Sequence, residues 1–401
     1  LEIVDMKHVL VVGAGFAGAS AARELAEAGY RVTVVDRRDH VAGNAYDYIN
    51  DLGIRVHKYG PHLWHTSNDE VQEWASRFTE WVPYWHYVRA QLPSGKTVPL
   101  PINPETIEEV FGEAFNSWAS DAQYGVLRSN AGTARTLHVK FLETLVERHA
   151  EVTNSRQHVE NSVGKELCEL FFAPYTKKMW GLSLEELPAS VAARIPTNVE
   201  SGSELYFPND KHQYLPKDGY TKMVERVLDH PLIEVCLNTL RPSQWREDYD
   251  VLFTSEPIDE YYGCDLGPLP WRSIKMHVYD VPAVKLLDAP VINFTHTGPF
   301  TRVTEWKQLP NHGDNPCWTT LTAEEPCDYR ENDMERYYPV KTSHSPCPNR
   351  ELYKRYKARA VSEGVHFIGR CGNYAYLDMH QSISSSLAAV RRFLTGQPIE
   401  D

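Results

Sequence analysis

The stretch VLVVGAGFAGASAARELAEAGYRVTVVD, Val9 to Asp36, decides the fold. Val9–Val12 is a short β-branched run, as expected of a buried strand. The loop Gly13-Ala14-Gly15-Phe16-Ala17-Gly18 follows directly. The alanine-rich segment after it predicts a helix from about Ala17 to Ala28. Gly29 then stands where a left-handed residue usually closes a helix. Val32–Val35 reads as a second strand, with Asp36 at its end. In such a β-α-β opening the first glycine permits the tight turn and the second lets backbone approach a pyrophosphate. The third packs helix on strand, the helix N-terminus faces phosphate charge, and the carboxylate at the strand end can hold a ribose hydroxyl. Gly13, Gly15, Phe16, Ala17, Gly18, Asp36 and Arg37 are therefore candidates for holding a dinucleotide.

Gly43-Asn44 follows the second strand closely, and the chain returns to a strand and glycine at Phe367-Ile368-Gly369-Arg370 before a last helix, Ile383 to Leu394. Use of both chain ends suits an extended FAD. Between them, Val88–Val98 reads as a hairpin turning at Ser94-Gly95, and Pro99–Pro104 as a linker. From Glu105 to Leu187 the pattern is mostly helical, with Val159, Val163, Leu167 and Leu170 as one buried stripe. Val291–Asn293, Thr301–Glu305 and Val365–Ile368 read as strands. The expected class is α/β. A Rossmann-like FAD-binding domain would combine 1–83, 233–262 and 360–401. A helical domain with a mobile substrate loop would span 105–187. An antiparallel β-sheet domain would combine 84–104, 188–232 and 263–359.

Lys and Arg number 41 against 54 Asp and Glu, a net charge of −13. That acidity argues against nucleic acid or an anionic membrane as partner. No apolar run approaches the ~18 residues of a membrane span, and the first residues lack the layout of a signal peptide. The seven cysteines are scattered without a Cys-x-x-Cys pair. This points away from a disulfide framework or structural zinc and toward a reducing cytosol. The histidines form no His-Glu-x-x-His pattern, so no metal site is expected.

GPHLWHTSN (Gly60–Asn68) places His62 and His65 in a glycine-proline loop, where two histidines suit a site better than a core. Arg194 and Arg302 offer guanidinium forks for diphosphate oxygens. For Arg302 the plain alternative is a structural ion pair with Glu305. Tyr175, Trp180, Tyr206, Tyr338 and Tyr376 read singly as core or surface aromatics, although such rings also stack on bases and phenols hydrogen-bond phosphates.

Several segments agree in order with one family: GPHLWHT, PYTKKMWG with the downstream ARIP, LYF at Leu205, GYTKMVE at Gly219, EPIDEYYG from Glu256, INFT with FTR, RYYPV, and GRCGNYAYLDMHQ. From about Val9 to Leu394 the chain resembles the UDP-galactopyranose mutases, flavoenzymes that interconvert the six- and five-membered ring forms of UDP-galactose. The resemblance implies that Arg194 and Arg302 hold the substrate diphosphate and, with His65, serve catalysis. It places Tyr175, Thr176, Trp180 and Asn293 around the uridine or sugar-phosphate, with Phe171 packing on the base. Tyr206, Tyr338 and Tyr376 would bind phosphate oxygens. Gly43, Asn44, His62, His65, Arg370, Tyr376, Asp378 and Met379 would lie by the cofactor. It further implies FAD in its reduced form, with NAD(P)H or dithionite as reductant, and attack of flavin N5 on the anomeric carbon. The destination would be galactofuranose-containing glycan, the location cytoplasmic and the assembly a homo-oligomer. The chain departs from the family at Ser255-Glu256, usually Thr-Gly, and at Gly372-Asn373, usually Ala-Glu. The spacing from Asn293 to Arg302 is also one residue short. The resemblance would place Asn373 near the hexose, so these departures leave the sugar open between galactose and another hexose. An amine-oxidase-like flavoenzyme is the other class that shares the glycine loop.

Overall fold

The computed structural model describes residues 6–120, 131–193, 195 and 197–398. Its first layer is a five-stranded parallel sheet in the order Ile233–Cys236, Arg31–Val35, His8–Val12, Val251–Thr254, His366–Phe367. The period-2 alternation of these strands splits their side chains between two cores. Val9, Val11, Val32, Val34 and Phe253 face a core shared with helices Phe16–Glu27, Tyr220–Leu228 and Met379–Leu394. Leu10, Val12, Val35 and Leu252 face the opposite core, with Trp271, Tyr356 and Ala360. The first helix runs Phe16–Glu27, and Gly29 takes φ +90° just beyond it.

A seven-stranded sheet forms the second layer, in the order Tyr338–Pro339, Trp271–Val281, Thr319–Asp328, Arg302–Glu305, Val291–Phe294, Val88–Gln91, Thr97–Leu100. It is antiparallel except where Val291–Phe294 runs parallel to Val88–Gln91. That pair joins segments too distant in sequence for local pattern to show their direction. Strand His212–Pro216 pairs with Trp64–Thr66 and Trp81–Pro83, and the following helix packs in the first core. The expected boundaries group this segment with the second sheet, whereas Leu215, Met223, Val224 and Val227 pack in the core of the first.

Helices Pro104–Ser120, Ala131–Leu145, Ser155–Leu167 and Ala173–Trp180 pack on the Val88–Leu100 end of the large sheet. The predicted stripe holds through Val159, Val163 and Leu167 and then slips. A π-turn at Cys168–Phe172 shifts the helical phase. Phe171 and Phe172 take the buried positions, and Leu170 is only half-buried. No helix of the described residues is long and apolar enough to cross a membrane.

Candidate active site

A cavity of about 830 Å³ runs between the two sheets, from the glycine loop to Arg302. At its first end Gly13 has φ +99°, and its N–H donates to the Val35 carbonyl at 2.8 Å. A Cβ on Gly18 would sit 1.8 Å from the Gly13 carbonyl oxygen, so only glycine lets this helix lie on its strand. Gly15 differs. Its φ of −79° suits any residue, and a Cβ there would meet protein atoms only at 3.5 Å or more, an ordinary contact. Neither backbone nor packing requires glycine at 15, which fits a loop shaped to take a guest against its backbone. Asp36 lies under the loop, accepting from the Ala14 N–H at 2.7 Å and the Arg38 N–H at 2.9 Å. Arg37 and Arg38 both pair with Glu335, and Arg38 also donates to the Asn44 side chain at 2.9 Å. The cavity continues past Gly43 and Asn44 to Gly369, Arg370, Asp378 and Met379. There Asp378 caps the last helix in a capping box with Gln381, and that helix begins at the cavity wall. One continuous groove served by two helix N-termini suits an extended dinucleotide such as FAD.

The other end is built on one row of the large sheet. Asn293, Arg302 and Glu324 are direct neighbours across three strands. Arg302 Nε donates to Glu324 Oε1 at 2.6 Å, and Glu324 is 1% exposed. Burial works against the guanidinium charge, but the Glu324 carboxylate outweighs it and holds Arg302 above its ordinary range. Glu305, the ion-pair partner in the plain alternative for Arg302, stands three residues along the same strand and therefore on its other face. Glu305 is instead fully buried, accepting from the Leu286 and Leu287 N–H groups and the Thr319 hydroxyl. Asn293 is buried, and its Oδ1 has no protein partner. Tyr338 stacks on Tyr376 at 5.2 Å and meets the edge of Trp180 at 5.9 Å. Burial pushes the Tyr175 and Tyr338 phenols well up, so both are O–H donors at neutral pH. Arg370 lies over Tyr376 and spends its donors on the Tyr337 and Leu377 carbonyls.

Between the ends stand the histidines. His62 Nδ1 bonds the Gly60 carbonyl at 2.8 Å, and burial lowers its pKa to about 4, with Arg370 and Arg302 adding to the fall. It is neutral at pH 7. His65 bonds Asp210 at 2.7 Å and stacks on Phe207 at 3.7 Å.

The structure brings Gly13, Gly15, Phe16, Ala17, Asp36, Arg37, Gly43, Asn44, His62, His65, Tyr175, Trp180, Tyr206, Asn293, Arg302, Tyr338, Arg370, Tyr376, Asp378 and Met379 to one cavity. It does not bring Phe171, which is buried in the core of the helical layer, nor Thr176. Asn373 lines a separate cleft with Tyr353 and His366 and is not among the residues lining the main cavity. Ser255 and Glu256 line the glycine-loop end. Ser255 donates to the Val12 carbonyl and Glu256 pairs with Arg241. Arg194 lies outside the described residues. Sequence reasoning missed His86, whose ring bonds the Tyr84 hydroxyl at 2.9 Å and lines the cavity. Lying in the aromatic run Tyr84-Trp85-His86-Tyr87, it carried no motif of its own. Glu324 was also missed, its link to Arg302 being a register that local sequence does not show.

These two ends define a Rossmann-fold enzyme of the flavoprotein kind, with a cationic, aromatic substrate chamber beside the dinucleotide groove. The NAD(P)-binding Rossmann-like domain family matches residues 11–78, and the UDP-galactopyranose mutase family matches residues 170–376. A probable UDP-galactopyranose mutase of Klebsiella pneumoniae is 34% identical, the match covering 98% of this chain and 96% of that one. A dTDP-fucopyranose mutase of Escherichia coli is 30% identical over 97% and 99% of the two chains. A crystal structure of reduced UDP-galactopyranose mutase shares the fold with a TM-score of 0.70 at 16% identity, covering 97% and 94%. The chain belongs to the UDP-galactopyranose mutase family.

Proposed function

We propose that the protein interconverts UDP-galactopyranose and UDP-galactofuranose. The observation that carries this is the single cavity joining a dinucleotide loop at Gly15 to a guanidinium fixed by a buried carboxylate at Arg302. A diphosphate on Arg302 places its hexose between that cation and the cofactor groove. Reduced FAD, when bound, supplies N5 as the nucleophile for the anomeric carbon, with NAD(P)H as the source of its electrons.

The chain's own residues do the rest. Arg302, with Arg194 as the second proposed clamp, holds the diphosphate both as substrate and as departing UDP, so that the sugar can be rejoined. Tyr175 and Tyr338 donate O–H bonds to phosphate oxygens, and Trp180 offers a flat face to the nucleotide. Neutral His62 lines the cofactor side without adding charge, and His65 is steered by Asp210. No side-chain nucleophile is required in this scheme. The helical layer would close over bound substrate. In this reading the enzyme works in the cytoplasm as a homo-oligomer, ahead of galactofuranose-containing glycan assembly.

The Escherichia coli relative supports a second reading, a mutase for a dTDP-linked deoxyhexose. The test incubates dithionite-reduced protein, beside an oxidised control, with UDP-galactofuranose and separately with dTDP-fucofuranose. UDP-galactopyranose formed only by the reduced sample is the expected result. Conversion of the dTDP sugar alone would move the assignment to the second reading. Substrate-linked oxygen consumption without ring conversion would place the protein among oxidases.

A further inference from the structure

The motif PYTKKMWG contains two lysines with opposite surroundings. Lys177 is exposed; Lys178 turns inward. Its Nζ donates to three backbone carbonyls, Phe294 at 2.8 Å, His296 at 2.7 Å and Phe300 at 2.7 Å. All three belong to the hairpin that connects Val291–Phe294 to Arg302–Glu305. A tetrahedral ammonium has three donors, and here each finds an oxygen.

Lys178 is not needed to end its own helix. Gly181 closes that helix in the left-handed conformation. Arg272, from the strand Trp271–Val281, donates to the Met179 carbonyl at 2.9 Å and the Lys178 carbonyl at 3.1 Å. Arg272 and the glycine thus satisfy the helix C-terminus, which leaves the Lys178 side chain to tie two elements that meet nowhere near each other in sequence.

We infer that Lys178 is a positioning residue: its ammonium fixes the helix carrying Tyr175 and Trp180 against the hairpin carrying Asn293 and Arg302, setting the width of the nucleotide end of the cavity. The inference rests on the nucleotide-sugar reading above. Losing the three bonds leaves three carbonyls to find other donors, and the hairpin moves relative to the helix.

Burial lowers the amine to about pKa 8, with no other contribution. The charged and titratable groups on the elements packed around it are Arg272, His296, Tyr175 on its own helix, the Arg302–Glu324 pair, and His277, which packs on Phe300 and pairs with Glu325. Lys177 is its neighbour on the helix. None gives Lys178 a carboxylate partner. Deprotonation through pH 8 removes one of the three donors and loosens the tie.

The experiment measures UDP and dTDP binding to flavin-loaded wild type and Lys178→Met. The variant is expected to keep its flavin absorption spectrum while losing about tenfold or more in affinity for the nucleotide that wild type prefers, since a misplacement near 1 Å costs up to ~10²-fold. In turnover, kcat/KM falls further than kcat. Wild-type affinity declines as pH rises from 7 to 9, with a midpoint near 8, and the variant's profile is flat. Wild-type affinity in the folded variant, or a level wild-type profile, overturns the inference. If Lys178→Met does not fold, the wild-type profile decides alone. Wild type that binds neither nucleotide refutes the nucleotide-sugar reading itself.

Discussion

At Gly15 a Cβ meets the protein's own atoms no closer than 3.5 Å and φ is ordinary, so Gly15→Val is expected to fold and to purify without flavin. Its side chain enters the space where backbone should meet a pyrophosphate. A yellow, active variant would refute that placement. Arg302→Ala tests the other end. It should retain flavin while turnover falls by about 10²–10³, because the cation touches the proposed leaving group rather than the cofactor. Near-normal turnover would remove Arg302 from the mechanism. At this scale the sequence was informative where chemistry is local. The glycine loop, Asp36, His62 and the aromatics could be named from their neighbours in the chain. Glu324 could not, because it meets Arg302 through a strand register. Asn373, expected near the hexose, lines a different cleft, and nothing in its local sequence signals that.

Elements show the same division. The β-α-β opening was legible because its signals, a β-branched run, three glycines and an alanine-rich helix, act within adjacent residues. The slip from Leu170 to Phe171 was not, because a π-turn leaves little trace in an apolar sequence. The parallel pairing of Val88–Gln91 with Val291–Phe294 depends on the whole chain's path. Gly18→Ala is the prediction proper to this scale. Its methyl would collide with the Gly13 carbonyl at 1.8 Å, forcing the first helix off its strand. Overpacking of this kind costs about 1–3 kcal/mol. We expect a lower unfolding midpoint in denaturant for Gly18→Ala than for wild type, with flavin removed from both. An unchanged midpoint would show that the helix can shift without cost.

For the whole molecule, acid is the sensitive variable. His57 and His312 are buried against each other, Nε2 to Nε2 at 3.0 Å. His57 Nδ1 accepts from the His62 N–H, so its Nε2 carries the proton and donates to His312, whose Nδ1 donates to the Pro310 carbonyl. Burial lowers His312 to about 4 and holds His57, beside the other imidazoles, well below its ordinary value. Because the folded values lie below the unfolded value of ~6.5, the unfolded chain binds more protons as pH falls. The stability is complete above pH 6.5 and is lost between there and about 4, by up to ~1.4 kcal/mol per pH unit for each histidine. Tm should therefore fall steeply from pH 6.5 to 4.5 and stay level from 7 to 8. A level Tm across the acid range would show that the pair is not buried as described. One feature of the architecture bears on synthesis. The glycine loop is made well before the turn at Gly369 and the helix behind Asp378, which complete the groove it opens. A nascent chain still short of these segments has half a cradle, so the dinucleotide groove takes shape only after they have left the ribosome.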